Sequence, residues 1–255
     1  MVLKIEQFTC RSDNFGVLIH DTEANVTASI DAPEFQPIVD KLAELGWNLD
    51  EILVTHHHED HVEANLTLKT AYGCTITAPG GGKSKIPGVD RTVKQGDTFM
   101  FGTFEVQVIE TPGHTLDHIA YYLPAAKVAF VADTLFALGC GRVFEGTPEM
   151  MWESLSKLAA LPDDTTIYCG HEYTQANAKF ALTIEPENAE LVARAAEIDR
   201  LRGEGKPTLP TTIAIEKATN PFLRADSPEI RKRLGLEDAP QAAVFAEVRK
   251  RKDNF

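Results

Sequence analysis

The segment Thr55-His56-His57-His58-Glu59-Asp60-His61 packs four histidines and an aspartate into six residues. Imidazole and carboxylate are the ligands that first-row divalent cations prefer. Where the backbone stays extended, side chains two apart point the same way. His56 and His58 can therefore grip one ion while His57 faces elsewhere, and Asp60 and His61 can reach a second ion beside the first. A lone surface histidine calls for no explanation. His-x-His-x-Asp-His directly after an apolar run does, because the flanking pattern supplies the context of a metal site.

Three more ligand types stand at the ends of apolar runs. His114 lies in the Pro-Gly turn Thr111-Pro112-Gly113-His114-Thr115. Asp133 follows the buried-type run Val128–Ala132, where a carboxylate needs a partner to offset its desolvation. His171 follows Thr166–Cys169, in Gly170-His171-Glu172-Tyr173. Asp31, at the end of Val26–Ile30, stays open between a ligand, a partner that orients a ligating histidine, and a turn or cap residue.

Groups of this kind need strands that deliver them to one edge. Residues 17–20 and 26–30 read as strands. Phe35, Ile38, Val39, Leu42 and Leu45 fall at helical spacing and Gly46 stops that helix. A strand over 52–54 leads into the histidine cluster, giving the strand-helix-strand order of a sheet flanked by helices. A helix over 61–72 and a strand over 75–78 follow, and Gly80-Gly81-Gly82 with Lys83 and Lys85 reads as a mobile surface loop. Strands over 98–101, 104–109, 118–123 and 127–131 come at hairpin spacing, with a tight turn at Phe101-Gly102-Thr103-Phe104. Thr147-Pro148-Glu149 opens a helix with a cap, a first-position proline and an early acid, and 166–169 is expected to be the last strand.

Beyond Tyr173 helical periodicity takes over. Leu191, Ala195, Ile198 and Leu201 share a face, a Gly- and Pro-rich linker spans 203–210, and 211–218, 227–234 and 240–252 read as helices. The expected organisation is an α/β (α+β) metal domain over residues 1–173 and an all-helical domain over 174–255.

At 255 residues the chain is long enough for one large domain or a domain with an appendage. No run approaches the roughly 20 apolar residues of a membrane span, and the start lacks the layout of a signal peptide, so a cytoplasmic protein is expected. The net charge of −13 argues against a nucleic-acid binder and makes Arg249-Lys250-Arg251-Lys252 stand out. Cys10, Cys74, Cys140 and Cys169 form no C-x-x-C pair, so reduced, buried thiols are expected. A monomer is the expected state.

The set His56, His58, Asp60, His61, His114, Asp133 and His171 resembles the metallo-β-lactamase superfamily, whose fold is an αββα sandwich. Within it, Gly139-Cys140-Gly141-Arg142, Tyr168-Cys169-Gly170-His171-Glu172-Tyr173, Asn220-Pro221-Phe222-Leu223-Arg224 and Arg251-Lys252-Asp253-Asn254-Phe255 resemble the hydroxyacylglutathione hydrolase family. The resemblance implies that His56, His58 and His114 hold one divalent ion, that Asp60, His61 and His171 hold the other, and that Asp133 bridges them. Zinc is the expected metal, with iron and manganese suited to the same donors. It further implies glutathione contacts from Arg142, Tyr173, Arg249 and Lys252. Arg142 stands where lysine is frequent, and Phe144 where a glutathione-contacting tyrosine is common, so one hydroxyl hydrogen bond is missing at that substrate contact. Val62-Glu63-Ala64 replaces a more glycine-rich sequence.

The implied reaction is hydrolysis of S-D-lactoylglutathione by a metal-bridging hydroxide, the second step of methylglyoxal detoxification, with Asp60 orienting the nucleophile. Three rivals use the same residues differently: a cysteine hydrolase built on Cys169 and His171, a mononuclear iron glutathione persulfide dioxygenase, and a metal-stabilised binding module.

Overall fold

Strands that are apolar on both faces need cover on both sides. The computed structural model describes residues 2–82 and 85–255, and the chain forms two units, Met1–Glu110 with Thr115–Val131, and Thr111–His114 with Ala132–Phe255. Lys83 lies outside the described residues.

The first unit opens with a sheet of β1 (Leu3–Cys10), β2 (Asn14–Asp21), β3 (Val26–Ile30), β4 (Glu51–Leu53), β5 (Thr75–Pro79) and β6 (Arg91–Val93), in that order. Pairing is antiparallel from β1 to β3 and parallel from β3 to β6. Parallel neighbours require crossovers, here α1 (Phe35–Leu45) before β4 and α2 (Glu59–Val62) with α3 (Asn65–Tyr72) after it. Ile38 and Leu42 of α1 and Leu68 of α3 pack with Leu18, Ile52 and Ile76 of the strands, all buried.

Strand β1 is absent from the sequence reading because its side chains are mostly half-buried and the alternation is weak. The single helix expected over 61–72 is two. Ala64 N–H donates to Ala32 O (3.0 Å) and Ala32 N–H to His61 O (2.8 Å), drawing the chain back to the end of β3. The glycine run forms a short 3-10 turn, Gly80–Gly82.

A second layer of the same unit is the antiparallel meander β7 (Thr98–Phe101), β8 (Phe104–Glu110), β9 (Ile119–Leu123) and β10 (Val128–Ala132). Two bonds tie it to the segment after β4: Tyr121 OH donates to Val54 O (2.8 Å) and Ile119 N–H to Thr55 O (2.9 Å). The Gly102 turn is as expected. It has φ +55°, and a Cβ there would run into the Asp21 carboxylate, so glycine is required twice over.

In the second unit, β11 (Leu135–Phe136) and β12 (Gly139–Cys140) form a small hairpin, followed by α4 (Pro148–Ala159), β13 (Thr166–Cys169), α5 (Thr174–Ile184), α6 (Ala189–Gly203), β14 (Thr211–Thr212), α7 (Ile213–Thr219), α8 (Pro228–Leu234) and α9 (Gln241–Asp253). β13 pairs antiparallel with β14, so the helix expected over 211–218 begins only at Ile213. Thr147 caps α4 as expected, accepting from Met150 N–H. Phe180, Phe222 and Phe245 are fully buried and stack in a chain with centroids 5.9 and 6.1 Å apart.

Glu216 is wholly buried and fully committed. It accepts from Arg194, from Thr211 Oγ1 and from Leu138 N–H. Asn220 Nδ2 donates to Glu216, Phe136 O and Gly139 O. A buried network that is satisfied throughout rigidifies its surroundings, and this one holds the β11–β12 hairpin and the left-handed Leu138 (φ +57°) between its strands.

Asp21 offers a test of the first unit. Burial works against its charge, yet Thr103 N–H, Thr103 Oγ1 and Glu23 N–H all donate to it, holding its carboxyl below the usual range. A depressed carboxyl contributes stability above its unfolded pKa of about 3.9, and that stability is lost as pH falls through the folded value. Asp21→Asn should lower unfolding free energy at neutral pH by about 2 kcal/mol and flatten the loss of stability below about pH 4. Urea unfolding at stepped pH measures both; an unchanged acid slope contradicts the assignment.

Candidate metal centre

Four predicted ligands gather in the first unit, where β4 empties into α2. His56 and His61 are buried, with ring centroids 4.2 Å apart. His56 Nε2 and His58 Nδ1 face each other at 3.2 Å, and His61 Nε2 lies 3.7 Å from Asp60 Oδ2. Two ligand atoms each about 2.1 Å from a tetrahedral ion are about 3.4 Å apart, so the His56–His58 pair has the separation of two donors to one cation.

The hydrogen-bond partners say which nitrogen each ring offers. Asp31, buried and left-handed (φ +58°), accepts from Thr55 N–H (2.7 Å), from Thr55 Oγ1 (2.8 Å) and from His61 Nδ1 (2.8 Å). Since the Thr55 hydroxyl donates to Asp31, its oxygen is left to accept from His56 Nδ1 (3.0 Å). Both rings thus commit Nδ1–H and turn the Nε2 lone pair inward, the arrangement typical of ligating histidines. Of the choices open for Asp31, these contacts are those of a residue that orients a ligating histidine, while its carboxylate also lies within 4.8 Å of donor atoms of His56 and His61. His57 turns to Asp117 Oδ1 (2.8 Å), as the alternation of side chains requires, and His118 stacks on His56 at 4.7 Å.

The remaining three predicted ligands gather in the second unit. Asp133 Oδ2 lies 3.4 Å from His114 Nε2 and 3.3 Å from His171 Nε2. His114 Nδ1 donates to Arg142 O (2.8 Å); a carbonyl can only accept, so this tautomer is fixed. Ala132, just before Asp133, has φ +37°, a backbone setting found where a side chain must be aimed. Gly141 packs directly on the Asp133 carbonyl, where a Cβ has no space.

The predicted substrate residues lie in the same unit. Tyr173 stacks on the His171 ring (4.7 Å, 3° between planes) and is partly exposed. Phe144 lies against the His114 ring at 5.2 Å and is 62 % exposed, an apolar ring presented to solvent beside a predicted ligand. Arg249, three residues from Lys252 on α9, is buried over Phe222 and donates to Cys140 O (2.9 Å) and Asp253. Lys252 Nζ donates to Ala176 O (3.2 Å). Its pKa is lowered by burial first, then by the neighbouring charges of Arg249 and Arg142.

All four cysteines are reduced and buried, as expected. Cys169 donates to the His171 carbonyl (3.5 Å) and is buried, and burial pushes its thiol far up, which favours the protonated thiol over a thiolate nucleophile. Asn14 also reaches the cluster: its Nδ2 donates to Asp60 Oδ2 at 3.0 Å. A lone Asn in a strand gives no periodic or spacing signal. Asp31→Ala frees both His61 and Thr55, and should weaken divalent-metal affinity about 10- to 100-fold. Chelator competition on the metal-free protein measures this; parental affinity would exclude the orienting role.

Residues 27–171 match the model of the metallo-beta-lactamase superfamily, and residues 172–255 that of the hydroxyacylglutathione hydrolase C-terminus. A hydroxyacylglutathione hydrolase of Brucella ovis is 64 % identical over 253 residues, covering 99 % of this chain and 98 % of that one. The crystal structure of ETHE1 from Myxococcus xanthus superposes with a TM-score of 0.67 at 26 % identity, over 99 % of this chain and 98 % of the other. That of the BLEG-1 B3 metallo-beta-lactamase gives 0.66 at 20 % identity, over 87 % and 100 %. With the metallo-β-lactamase fold followed by a helical C-terminal part, and with this degree of identity along its length, the chain belongs to the hydroxyacylglutathione hydrolase family of the metallo-β-lactamase superfamily.

Proposed function

We propose that the chain hydrolyses glutathione thioesters of 2-hydroxy acids, S-D-lactoylglutathione foremost, releasing glutathione and the free acid. In this reading His56, His58 and His114 hold one divalent ion, Asp60, His61 and His171 hold a second, and Asp133 serves both. The ions are zinc, and residues 1–173 and 174–255 are the metal and glutathione-binding domains. The donor chemistry fits: His56, His61 and His114 have Nδ1 committed elsewhere, His58 turns its Nδ1 to His56 Nε2, and the Asp60 and Asp133 carboxylates lie 3.3 to 3.7 Å from histidine Nε2 atoms within their own units. Divalent ions, when bound, supply Lewis acidity and bring the pKa of water from about 15.7 to roughly 7.

The chain's own groups do the rest. Asp60 orients the nucleophile. Arg142, Lys252 and Arg249 attract the glutathione carboxylates, Tyr173 offers its ring and hydroxyl to the peptide, and Phe144 offers an apolar face where a hydroxyl would add a hydrogen bond. The observation that carries the assignment is this cluster of cations. Burial first, and then the neighbouring charges of Arg249 and Arg142, depress the Lys252 pKa in a chain of net charge −13, and an anionic substrate relieves the repulsive part. Arg142 links the cluster to the metal ligands, since its carbonyl fixes His114. A departing thiolate, with a thiol pKa of about 8.5, needs little help from a general acid.

In this reading the reaction is the second step of methylglyoxal detoxification, carried out by a cytoplasmic monomer. No helix among the described residues is long and apolar enough to cross a membrane.

Loss of thioester absorbance with D-lactoylglutathione tests the reading directly. Lys252→Met should raise KM for this substrate about tenfold, the worth of one charge-assisted hydrogen bond, and leave KM for a small neutral thioester nearly unchanged. Equal effects on both substrates would defeat it. Oxygen uptake with glutathione persulfide, in place of thioester hydrolysis, would assign the dioxygenase reaction instead.

A further inference from the structure

Asn14 heads β2, and it is only 4 % exposed. Its place is set by the sheet, since it pairs with Cys10 at the end of the β1–β2 ladder. From there one nitrogen, Nδ2, donates twice to a single residue: to Asp60 O at 3.1 Å and to Asp60 Oδ2 at 3.0 Å. The same Oδ2 faces His61 Nε2 at 3.7 Å, the nitrogen left with its lone pair once Nδ1 has gone to Asp31.

The chemistry of the donor matters as much as its position. A carboxylate in the place of Asn14 would repel Asp60. An ammonium or guanidinium would neutralise Asp60 and compete with a cation for its oxygen. A neutral amide fixes the carboxylate and leaves its charge in place. The Asp60 side chain is about one-third exposed (32 %), so water competes for it, and a buried donor holds one of its oxygens in place.

We infer that Asn14 is a positioning residue of the metal centre: it holds Asp60 Oδ2 beside His61 Nε2 and so prepares that pair for the second ion. The inference rests on the two-ion reading above. By removing the rotational freedom of Asp60 before the cation arrives, Asn14 spares binding the cost of ordering it.

The test compares the parent with Asn14→Leu, which fills the same volume without a donor, and Asn14→Asp, which keeps the shape and replaces the donor by an acceptor. Each is stripped of metal, its thermal unfolding is recorded, and zinc is titrated against a chromophoric chelator. The parent should take up two ions. Both variants should hold the first as the parent does and bind the second about 10- to 100-fold more weakly. At limiting zinc kcat should fall, at excess zinc it should recover, and KM for the thioester should not move. Two ions bound to either variant with parental affinity overturn the inference. So does equal weakening of both ions, which marks a general disturbance of the fold. A parent that takes up fewer than two ions overturns the two-ion reading and this inference with it, whereas a two-ion parent with unaffected variants overturns this inference alone.

Discussion

An imidazole that has given its Nδ1 hydrogen to a fixed acceptor has one thing left to offer, the Nε2 lone pair. His56, His61 and His114 are each held in that state, by the Thr55 hydroxyl, by Asp31 and by the Arg142 carbonyl. Two of the three acceptors lead back to one buried carboxylate. Asp31 takes hydrogen bonds from Thr55 N–H, Thr55 Oγ1 and His61 Nδ1, which offsets the cost of burying its charge. Its left-handed backbone lets the chain turn from β3 toward α1 while the side chain points back into the cluster. Lone pairs fixed before a cation arrives are the physical basis of the metal-binding reading.

The scaffold makes this possible at two levels. In the first unit, the end of β4 is held by Val54 N–H to Thr77 O and Tyr121 OH to Val54 O, so the histidine segment starts from a fixed point. In the second, Glu216 and Asn220 secure the β11–β12 hairpin, and Arg249 grips the Cys140 carbonyl at its end. The residues after that hairpin supply both the acceptor for His114 and the guanidinium of Arg142. Arg249 therefore has two duties. It adds charge to the cationic cluster, and its hydrogen bonds set the course of the chain that carries the rest of that cluster.

Much of this was legible in the sequence because it is written in spacing. The His-x-His-x-Asp-His run, the strand-end Asp133 and His171, and the Thr-Pro-Glu helix start all obey local rules, and the structure places them at the element ends those rules predict. Asp31 could be seen as a candidate, though its role depended on which side chains the sheet brings to it. Three features lay beyond local pattern. Strand β1 is half-buried along most of its length, so its alternation is faint. The break between α2 and α3 is set by backbone bonds to Ala32, a residue far away in sequence. Asn14 reaches Asp60 across 46 positions, and nothing in its own neighbourhood announces it.

Stepwise restoration of divalent zinc to metal-free protein, with ion content and D-lactoylglutathione hydrolysis read on the same samples, tests the central claim most directly. Lone pairs held ready predict tight uptake of two ions per chain, no hydrolysis without metal, and activity that rises with occupancy. Full activity in protein shown to be free of metal, or failure to retain any ion against a chelator, would contradict it.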